Sequence, residues 1–266
     1  MGDRYAVIGN PVAHSKSPWI HAEFARATGQ DLEYGRIEAP RDGFERAAEQ
    51  FRAAGGKGLN VTLPFKEAAF RYCRRVSARA RGAQAVNTLV FNDDAFGDNT
   101  DGVGLVTDIE QNLGFELKDK QVLLMGAGGA AQGVVRSLLD AGAARLVIAN
   151  RTVAKAEALA ARFPGVEACG YQALAGERFD VAVNATSAGL TGESPRLPQA
   201  VLREGMLAYD MVYGRDTPFL AAARLAGARA SDGLGMLVEQ AAESFFIWRG
   251  VRPETRSVLE RLRASR

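Results

Sequence analysis

The segment Gln121-Val122-Leu123-Leu124-Met125 runs directly into Gly126-Ala127-Gly128-Gly129-Ala130-Ala131, and this junction constrains the fold more than any other feature of the chain. An uncharged, largely apolar run of this length reads as a buried strand. The glycines allow a tight turn in which the backbone can approach a pyrophosphate, and the small Ala131 suits close packing of the helix expected over Ala130 to Ala141. The first amides of that helix then face the phosphates. Taken alone, the pattern also describes a strand–helix turn that binds nothing. The following residues narrow the choice: Gly142 is placed to end the helix, and Ala144-Arg145-Leu146-Val147-Ile148-Ala149 reads as a second parallel strand, completing a βαβ unit.

At the end of that second strand, a site for NAD commonly carries an Asp or Glu that accepts a hydrogen bond from the ribose 2′-hydroxyl. This chain has Asn150-Arg151-Thr152, with Lys155 close behind. A guanidinium fork, a hydroxyl and an ammonium match the oxygens of a 2′-phosphate, which a carboxylate would repel. The expected cofactor is NADP. The plainer alternative is a solvated helix start, with Thr152 as its N-cap and Arg151 merely exposed.

At 266 residues the chain is long enough for two domains of ordinary size. Formal net charge is only +2 and no basic run tracks a phosphate backbone, so nucleic acid is not an expected partner. No apolar stretch reaches the ~20 residues of a membrane span. Cys73 and Cys169 stand far apart and outside any C-x-x-C pattern, which argues against a disulfide framework or metal site and fits a cytoplasmic protein. Of the 33 basic residues only six are Lys: Lys16, Lys57, Lys66, Lys118, Lys120 and Lys155. Arginine effectively cannot release its proton, so a site needing a titratable cation must draw on these six.

Before the glycine loop the periodicity alternates. Tyr5 to Gly9 reads as a strand and Pro18 to Thr28 as a helix stopped by Gly29. Leu32 to Ile37, Gly43 to Ala54 and Gly58 to Thr62 read as strand, helix and strand, followed by a helix after Pro64. Thr88 to Phe91 and Ala95 to Asp98 form a candidate hairpin. The expected class is α/β: a substrate-binding lobe with a mainly parallel sheet over 1–101, completed by 236–266, and a Rossmann-type lobe over 102–235. A helix from Thr100 to about Leu113 bridges into the second lobe, where Phe179 to Asn184 and Leu207 to Val212 are further strands. The run Gly189 to Pro198 reads as a mobile loop, and Met236 to Trp248 as a helix that returns to the first lobe.

Chemistry-bearing residues gather at predicted strand ends. In Asn10-Pro11-Val12-Ala13-His14-Ser15-Lys16-Ser17-Pro18, Ser15 and Ser17 can hold a carboxylate, or Ser17 can simply cap the helix at Pro18. Lys16, in a strand-like segment, is expected to point away from both. Lys66 opens a helix after Asn60-Val61-Thr62-Leu63-Pro64, where its charge opposes the helix dipole, an unfavourable place for a lysine without a task. An Asp facing it, such as Asp101, would make either a proton-transfer dyad or a structural ion pair.

The ordered set Asn10-Pro-x-x-His-Ser-x-Ser-Pro18, Asn60-Val-Thr-x-Pro-x-Lys66, Val86-Asn87-Thr88, Asn99-Thr-Asp-Gly102, Gly126 to Ala131, Asn150-Arg-Thr152, Asn184-Ala-Thr-Ser187 and Gly233-Leu-Gly-Met236 closely resembles the shikimate dehydrogenase family over essentially the whole chain. The resemblance implies NADPH-dependent, reversible reduction of 3-dehydroshikimate to shikimate in aromatic biosynthesis by a cytoplasmic monomer or homodimer. It also implies that Ser15 and Ser17 hold the carboxylate, that Thr62, Lys66, Asn87, Asp101 and Gln240 surround the ring hydroxyls, and that Tyr213 reaches the substrate. Lys66 and Asp101 become the proton-transfer pair. Gly126, Ala127, Gly128, Gly129, Ala130, Ala131, Asn150, Arg151, Thr152 and Lys155 bind the dinucleotide, Thr186 and Ser187 line its path, and Met211 and Gly235 sit by the nicotinamide; no metal is implied. Two positions depart from the family pattern: Gln84 replaces a frequent Gly and Ala78 a frequent acidic residue, so the floor of the site can differ there. The competing readings are a catabolic, NAD-linked quinate/shikimate dehydrogenase, which Arg151, Thr152 and Lys155 oppose, and a non-catalytic sensor, which retention of Lys66 and Asp101 opposes.

Overall fold

The structure is a computed structural model that describes residues 2–198 and 200–265; Met1 and Arg266, the outer limits of the expected division, and Gln199 lie outside the described residues. The chain divides after Gly104 and again after Met236. The first unit comprises the residues up to Gly104 with those from Leu237 onward, and the second Leu105–Met236.

The first unit contains β1 (Asp3–Gly9), α1 (Ser17–Thr28), β2 (Leu32–Glu38), α2 (Phe44–Ala53), β3 (Gly56–Val61), α3 (Lys66–Tyr72), β4 (Arg75–Val76), α4 (Ala78–Ala83), β5 (Thr88–Phe91) and β6 (Ala95–Asp98). Its sheet runs β2-β1-β3-β5-β6-β4. β5 alone is antiparallel to its neighbours, paired through Asn60 with Thr88 and through Thr88 with Asp98. This reversal matters for chemistry, because it brings the start of β5 to the same sheet edge as the ends of β1, β3 and β6. Ser15, Thr62, Asn87 and Asp101 all follow or precede those strand ends.

α5 (Asp101–Thr107) continues into a π-helical turn, Asp108–Asn112, that stops just short of the expected Leu113. The second unit then contains β7 (Gln121–Met125), α6 (Gly129–Gln132), α7 (Val135–Asp140), β8 (Arg145–Ala149), α8 (Val153–Ala160), β9 (Glu167–Cys169), β10 (Val181–Asn184), β11 (Leu207–Asp210), α9 (Pro218–Leu225) and β12 (Arg229–Asp232). Its sheet, β12-β11-β10-β7-β8-β9, is parallel throughout. Alternate residues of each central strand serve opposite faces. Val122 and Leu124 join one apolar cluster with Leu146, Ile148 and Tyr209, while Leu123 and Met125 join another with Val147, Ala182 and Phe219. Burial on both faces is why these strands read as unbroken apolar runs.

Two expectations are corrected. The helix expected over Ala130 to Ala141 is broken into α6 and α7: Gly133 caps the first piece, with its N–H directed to Ala131 O and Gly129 O, and Val134 starts the second. A glycine followed by a β-branched residue is a weak point in any helix. The segment around Lys16 is a turn, not strand-like, with Lys16 itself in the right-handed helical region as the cap of α1.

The chain returns to the first unit through α10 (Leu234–Arg249), which opens two residues before the expected start, and ends in an unexpected α11 (Arg256–Ala264). Trp248 of α10 stacks on Tyr5 at 4.6 Å and donates its indole N–H to Leu89 O at 2.9 Å. A Cβ on Gly58 would lie 2.5 Å from the Trp248 Nε1, so glycine in β3 is what lets the indole settle on the sheet.

Candidate active site

In the first unit, two sets of polar side chains occupy the sheet edge described above. At the end of β1, the Ser15 hydroxyl donates to that of Ser17 at 3.2 Å and accepts the Ser17 N–H at 3.3 Å. Lys16, not Ser17, occupies the cap position of α1, and no side chain caps that helix. The helix-cap alternative for Ser17 therefore fails: its hydroxyl is buried beside Ser15, while Lys16 and His14 are not buried.

Lys66 is the first residue of α3 and Asp101 the first of α5. Lys66 Nζ donates to Asp101 Oδ2 at 2.5 Å, with the two side chains 15% and 6% exposed. The other carboxylate oxygen accepts from Asn87 Nδ2 at 2.9 Å, and the Asp101 N–H donates to Asn99 Oδ1 at 3.1 Å. The same Asn87 amide lies 3.3 Å from Gln240 Oε1, so Gln240 of α10 is half-buried and hydrogen-bonded, not an exposed helical amide. Thr62, half-buried at the end of β3, has its N–H bound to Ile8 O.

Behind this pair runs a buried network whose members other than Asn87 carry no assigned role in the sequence motifs. Asn60 accepts from Tyr34 Oη at 2.7 Å and donates to Ser244 Oγ at 2.9 Å. Thr88 Oγ1 and the Thr100 N–H both donate to Asn87 Oδ1 at 2.8 Å, which fixes the orientation of that amide. Asn60, Thr88 and Thr100 lie inside the quoted motifs, and their signal was polarity at positions that the strand pattern buries. Ser244 and Tyr34 offered no local signal.

In the second unit the glycine loop follows β7, beside the point where strand order reverses between β7 and β10, the usual position of a dinucleotide in such sheets. Gly126 takes φ +107°, and a Cβ there would press on Ala185 O at 3.1 Å. Gly128 is exposed, and a Cβ placed on it would meet nothing within 4 Å: the loop presents open backbone, with Gly129 and Ala130 partly exposed and Ala131 buried beneath. At the end of β8, Asn150 Nδ2 donates to Thr152 O at 2.9 Å, while Arg151, Thr152 and Lys155 are exposed. Thr152 is the N-cap residue of α8 and Arg151 is exposed, as the plainer alternative expects, but the Thr152 side chain makes no cap bond to the helix. Open glycine backbone beside an arginine, a threonine and a lysine, with no carboxylate at the strand end, is a donor set that fits NADP.

Thr186 after β10 donates to Asn184 Oδ1 at 2.7 Å, and Asn184 donates in turn to Asp210 Oδ2 at 3.2 Å. Asp210 also accepts from Thr217 Oγ1 at 2.6 Å and from the Val212 N–H at 3.0 Å, which shapes the Met211-Val212-Tyr213 turn. Burial raises the Asp210 pKa, and the hydrogen bonds from Thr217, Val212 and Asn184 oppose that. Tyr213 is half-buried, its phenol pKa likewise raised by burial, and Ser187 is exposed. Gly235 lies against the Asp108 carboxylate, which accepts from Tyr209 Oη at 2.6 Å; the Tyr209 oxygen accepts the Met236 N–H at 3.3 Å.

The two departures from the family pattern fall on the ends of α4. Gln84 is its left-handed C-cap, with φ 51°, and Ala78 is its first residue. Gln84 and Ala78 are both exposed.

Comparison with known proteins gives concordant matches along the chain. Residues 7–89 match the family described as shikimate dehydrogenase substrate binding domain, residues 108–207 the one described as shikimate / quinate 5-dehydrogenase, and residues 233–263 the one described as shikimate 5′-dehydrogenase C-terminal domain. The chain is 58% identical to shikimate dehydrogenase (NADP(+)) of Methylobacillus flagellatus, over 99% of this chain and 100% of that protein. Among solved structures it is similar to an Ael1 enzyme from Pseudomonas putida, with 53% identity, a TM-score of 0.93 and 98% of each chain covered. It is also similar to shikimate 5-dehydrogenase from Thermus thermophilus solved with NADP(H) and shikimate, with 36% identity, a TM-score of 0.90, and 99% of this chain and 100% of that one covered. With full-length identity at this level and a matching order of motifs, the chain belongs to the shikimate dehydrogenase family.

Proposed function

We propose that this protein catalyses the reversible, NADP-linked interconversion of shikimate and 3-dehydroshikimate, with Lys66 and Asp101 as the proton-transfer pair. The observation that carries this reading is the Lys66–Asp101 contact of 2.5 Å, largely buried and held at the second carboxylate oxygen by Asn87. When bound, NADPH supplies the hydride. Hydride arrival at the substrate carbonyl leaves negative charge on its oxygen, and a protonated Lys66 ammonium within hydrogen-bond reach stabilises that charge and gives up a proton to form the hydroxyl. Asp101 keeps the ammonium aligned. Ser15 and Ser17 take the carboxylate, and Thr62, Asn87 and Gln240 the ring hydroxyls; all belong to the first unit, which we read as the substrate domain.

The second unit is read as the cofactor domain. Gly126 to Ala131 approach the pyrophosphate, Arg151, Thr152 and Lys155 meet the 2′-phosphate with Asn150 bracing their turn, and Thr186, Ser187, Met211 and Gly235 line the rest, with Tyr213 toward the substrate. Among the described residues no helix is long and apolar enough to cross a membrane. We place the enzyme in the cytoplasm, as a monomer or homodimer without nucleic-acid partners, supported by two unpaired cysteines and a near-neutral charge. The test is purified enzyme assayed for NADP reduction with shikimate, with quinate and NAD as controls. Shikimate with NADP should be the preferred pair by a wide margin. Preference for quinate with NAD would move the protein to the catabolic class, and absence of any turnover would favour a sensor.

A further inference from the structure

Two buried carboxylates take no part in the proposed reaction. Asp98 and Glu243 are 5% and 8% exposed. Asp98 ends β6, three residues before Asp101, and Glu243 lies on α10, three residues beyond Gln240. One guanidinium joins them. Arg79 of α4 donates from Nε to Asp98 Oδ1 at 2.7 Å and from Nη2 to Asp98 Oδ2 at 2.8 Å, and the same Nη2 reaches Glu243 Oε1 at 2.9 Å.

From each carboxylate, hydrogen bonds or one helical turn lead to a site residue. Asp98 Oδ1 accepts the Asn99 N–H at 2.7 Å, and the Asn99 amide then spans from Ala85 O, at 2.9 Å, to the Asp101 N–H, at 3.1 Å. Glu243 sits one turn along α10 from Gln240, whose carbonyl accepts from Thr100 Oγ1 at 3.0 Å. The second Glu243 oxygen accepts from Arg252 Nη2 at 2.5 Å.

We infer that Arg79 is a positioning residue for the reaction, its guanidinium fork fixing the Asn99-Thr100-Asp101 turn against α10 so that Asp101 meets Lys66 and Gln240 faces the same edge. This rests on the reading of Lys66 and Asp101 as the proton-transfer pair. A bidentate arginine–carboxylate contact sets angle as well as distance, which a lysine ammonium, a point charge without a planar fork, does not. Burial raises the Glu243 pKa, but the bonds from Arg252 and Arg79 outweigh it and hold that carboxyl below its ordinary value. Removing the guanidinium alone would strip Asp98 of its Arg79 counter-charge and crowd two buried carboxylates.

The test compares Arg79→Lys, Arg79→Met and the triple variant Asp98→Asn/Arg79→Met/Glu243→Gln, which removes the fork and both carboxylate charges together. Thermal melting, NADP affinity by fluorescence titration, and kcat and KM for shikimate are measured on full-length protein, with turnover normalised to NADP-competent protein. The Arg79→Met and triple variants should each lose about 100-fold in kcat, the scale of a displacement of about 1 Å in a proton-transfer group, with NADP affinity unchanged. The triple variant should melt close to wild type. Arg79→Lys should restore melting and recover only about tenfold of the lost turnover. Wild-type kcat in the triple or Arg79→Met variant would overturn the proposal and leave the clamp a stability device. Lys66→Ala run in parallel separates the two readings: if it keeps full turnover, the proton-transfer assignment falls and the positioning role with it. If Lys66→Ala is impaired and Arg79→Met is not, the positioning role alone fails.

Discussion

Ser15 and Ser17 hold their hydroxyls 3.2 Å apart, close enough to converge on one anion, and Ser17 is buried where such a contact is worth most. Replacing both with Ala should weaken shikimate binding strongly and change little for the analogue in which the carboxylate is a carboxamide. Equal losses for acid and amide, read by calorimetric titration, would remove the carboxylate assignment. His21 makes a different residue-scale prediction. Its ring is fully buried, stacked on Tyr34 at 4.2 Å, and neither nitrogen makes a hydrogen bond. Burial pushes its pKa down to about 3; Asn60, which faces the ring without reaching hydrogen-bond geometry, offsets only a little of this. Between the unfolded value near 6.5 and about 3, the unfolded chain binds a proton that the native state refuses, so His21 reduces stability as pH falls through that window. The slope is about 1.4 kcal/mol per pH unit once well below the unfolded value. Urea unfolding from pH 7 down to about 4 should show a flatter pH dependence for His21→Leu than for wild type. Identical slopes would contradict this account.

At the scale of elements, α4 shows how a family departure acts. Gln84 adopts φ 51° at the helix C-cap, a conformation that costs a side-chain-bearing residue about 1 kcal/mol or more and glycine almost nothing. Gln84→Gly should therefore raise the melting temperature by about 2–4 °C without altering kcat. A lower melting temperature would mean that the exposed Gln84 side chain makes a compensating contact. The position was legible as unusual from sequence, and the structure sets it at the end of a helix. The central strands β7, β8, β10 and β11 were legible because both their faces are apolar, and Lys66 because its charge opposes a helix start; the edge strand β12, Arg-Ala-Ser-Asp, carries no such signal. The break at Gly133, the short edge strands β4 and β9, and α11 were not legible either. A helix break depends on local strain that a 3.6-residue period does not encode, and two- or three-residue strands carry too few positions to show a period. Arg79, Asp98 and Glu243 escaped notice because charged residues in a sequence read as solvated until the fold buries them together.

For the molecule as a whole, the proposed function divides two binding tasks between the two units of the chain. Arg151 and Thr152 lie at the end of β8, so Arg151→Ala should raise the KM for NADP far more than that for NAD, because only NADP offers the 2′-phosphate. Equal effects on both cofactors would point to a packing role instead. Lys66 belongs to the other unit, and its substitution should leave the dinucleotide untouched. The decisive measurement is steady-state oxidation of shikimate by wild type and Lys66→Ala, paired with NADP affinity for both. Turnover should fall at least about 100-fold in the variant, as for loss of a positioned acid–base group, while NADP binds with unchanged affinity. Near-wild-type turnover in Lys66→Ala would contradict the assignment of the Lys66–Asp101 pair as the centre of the chemistry.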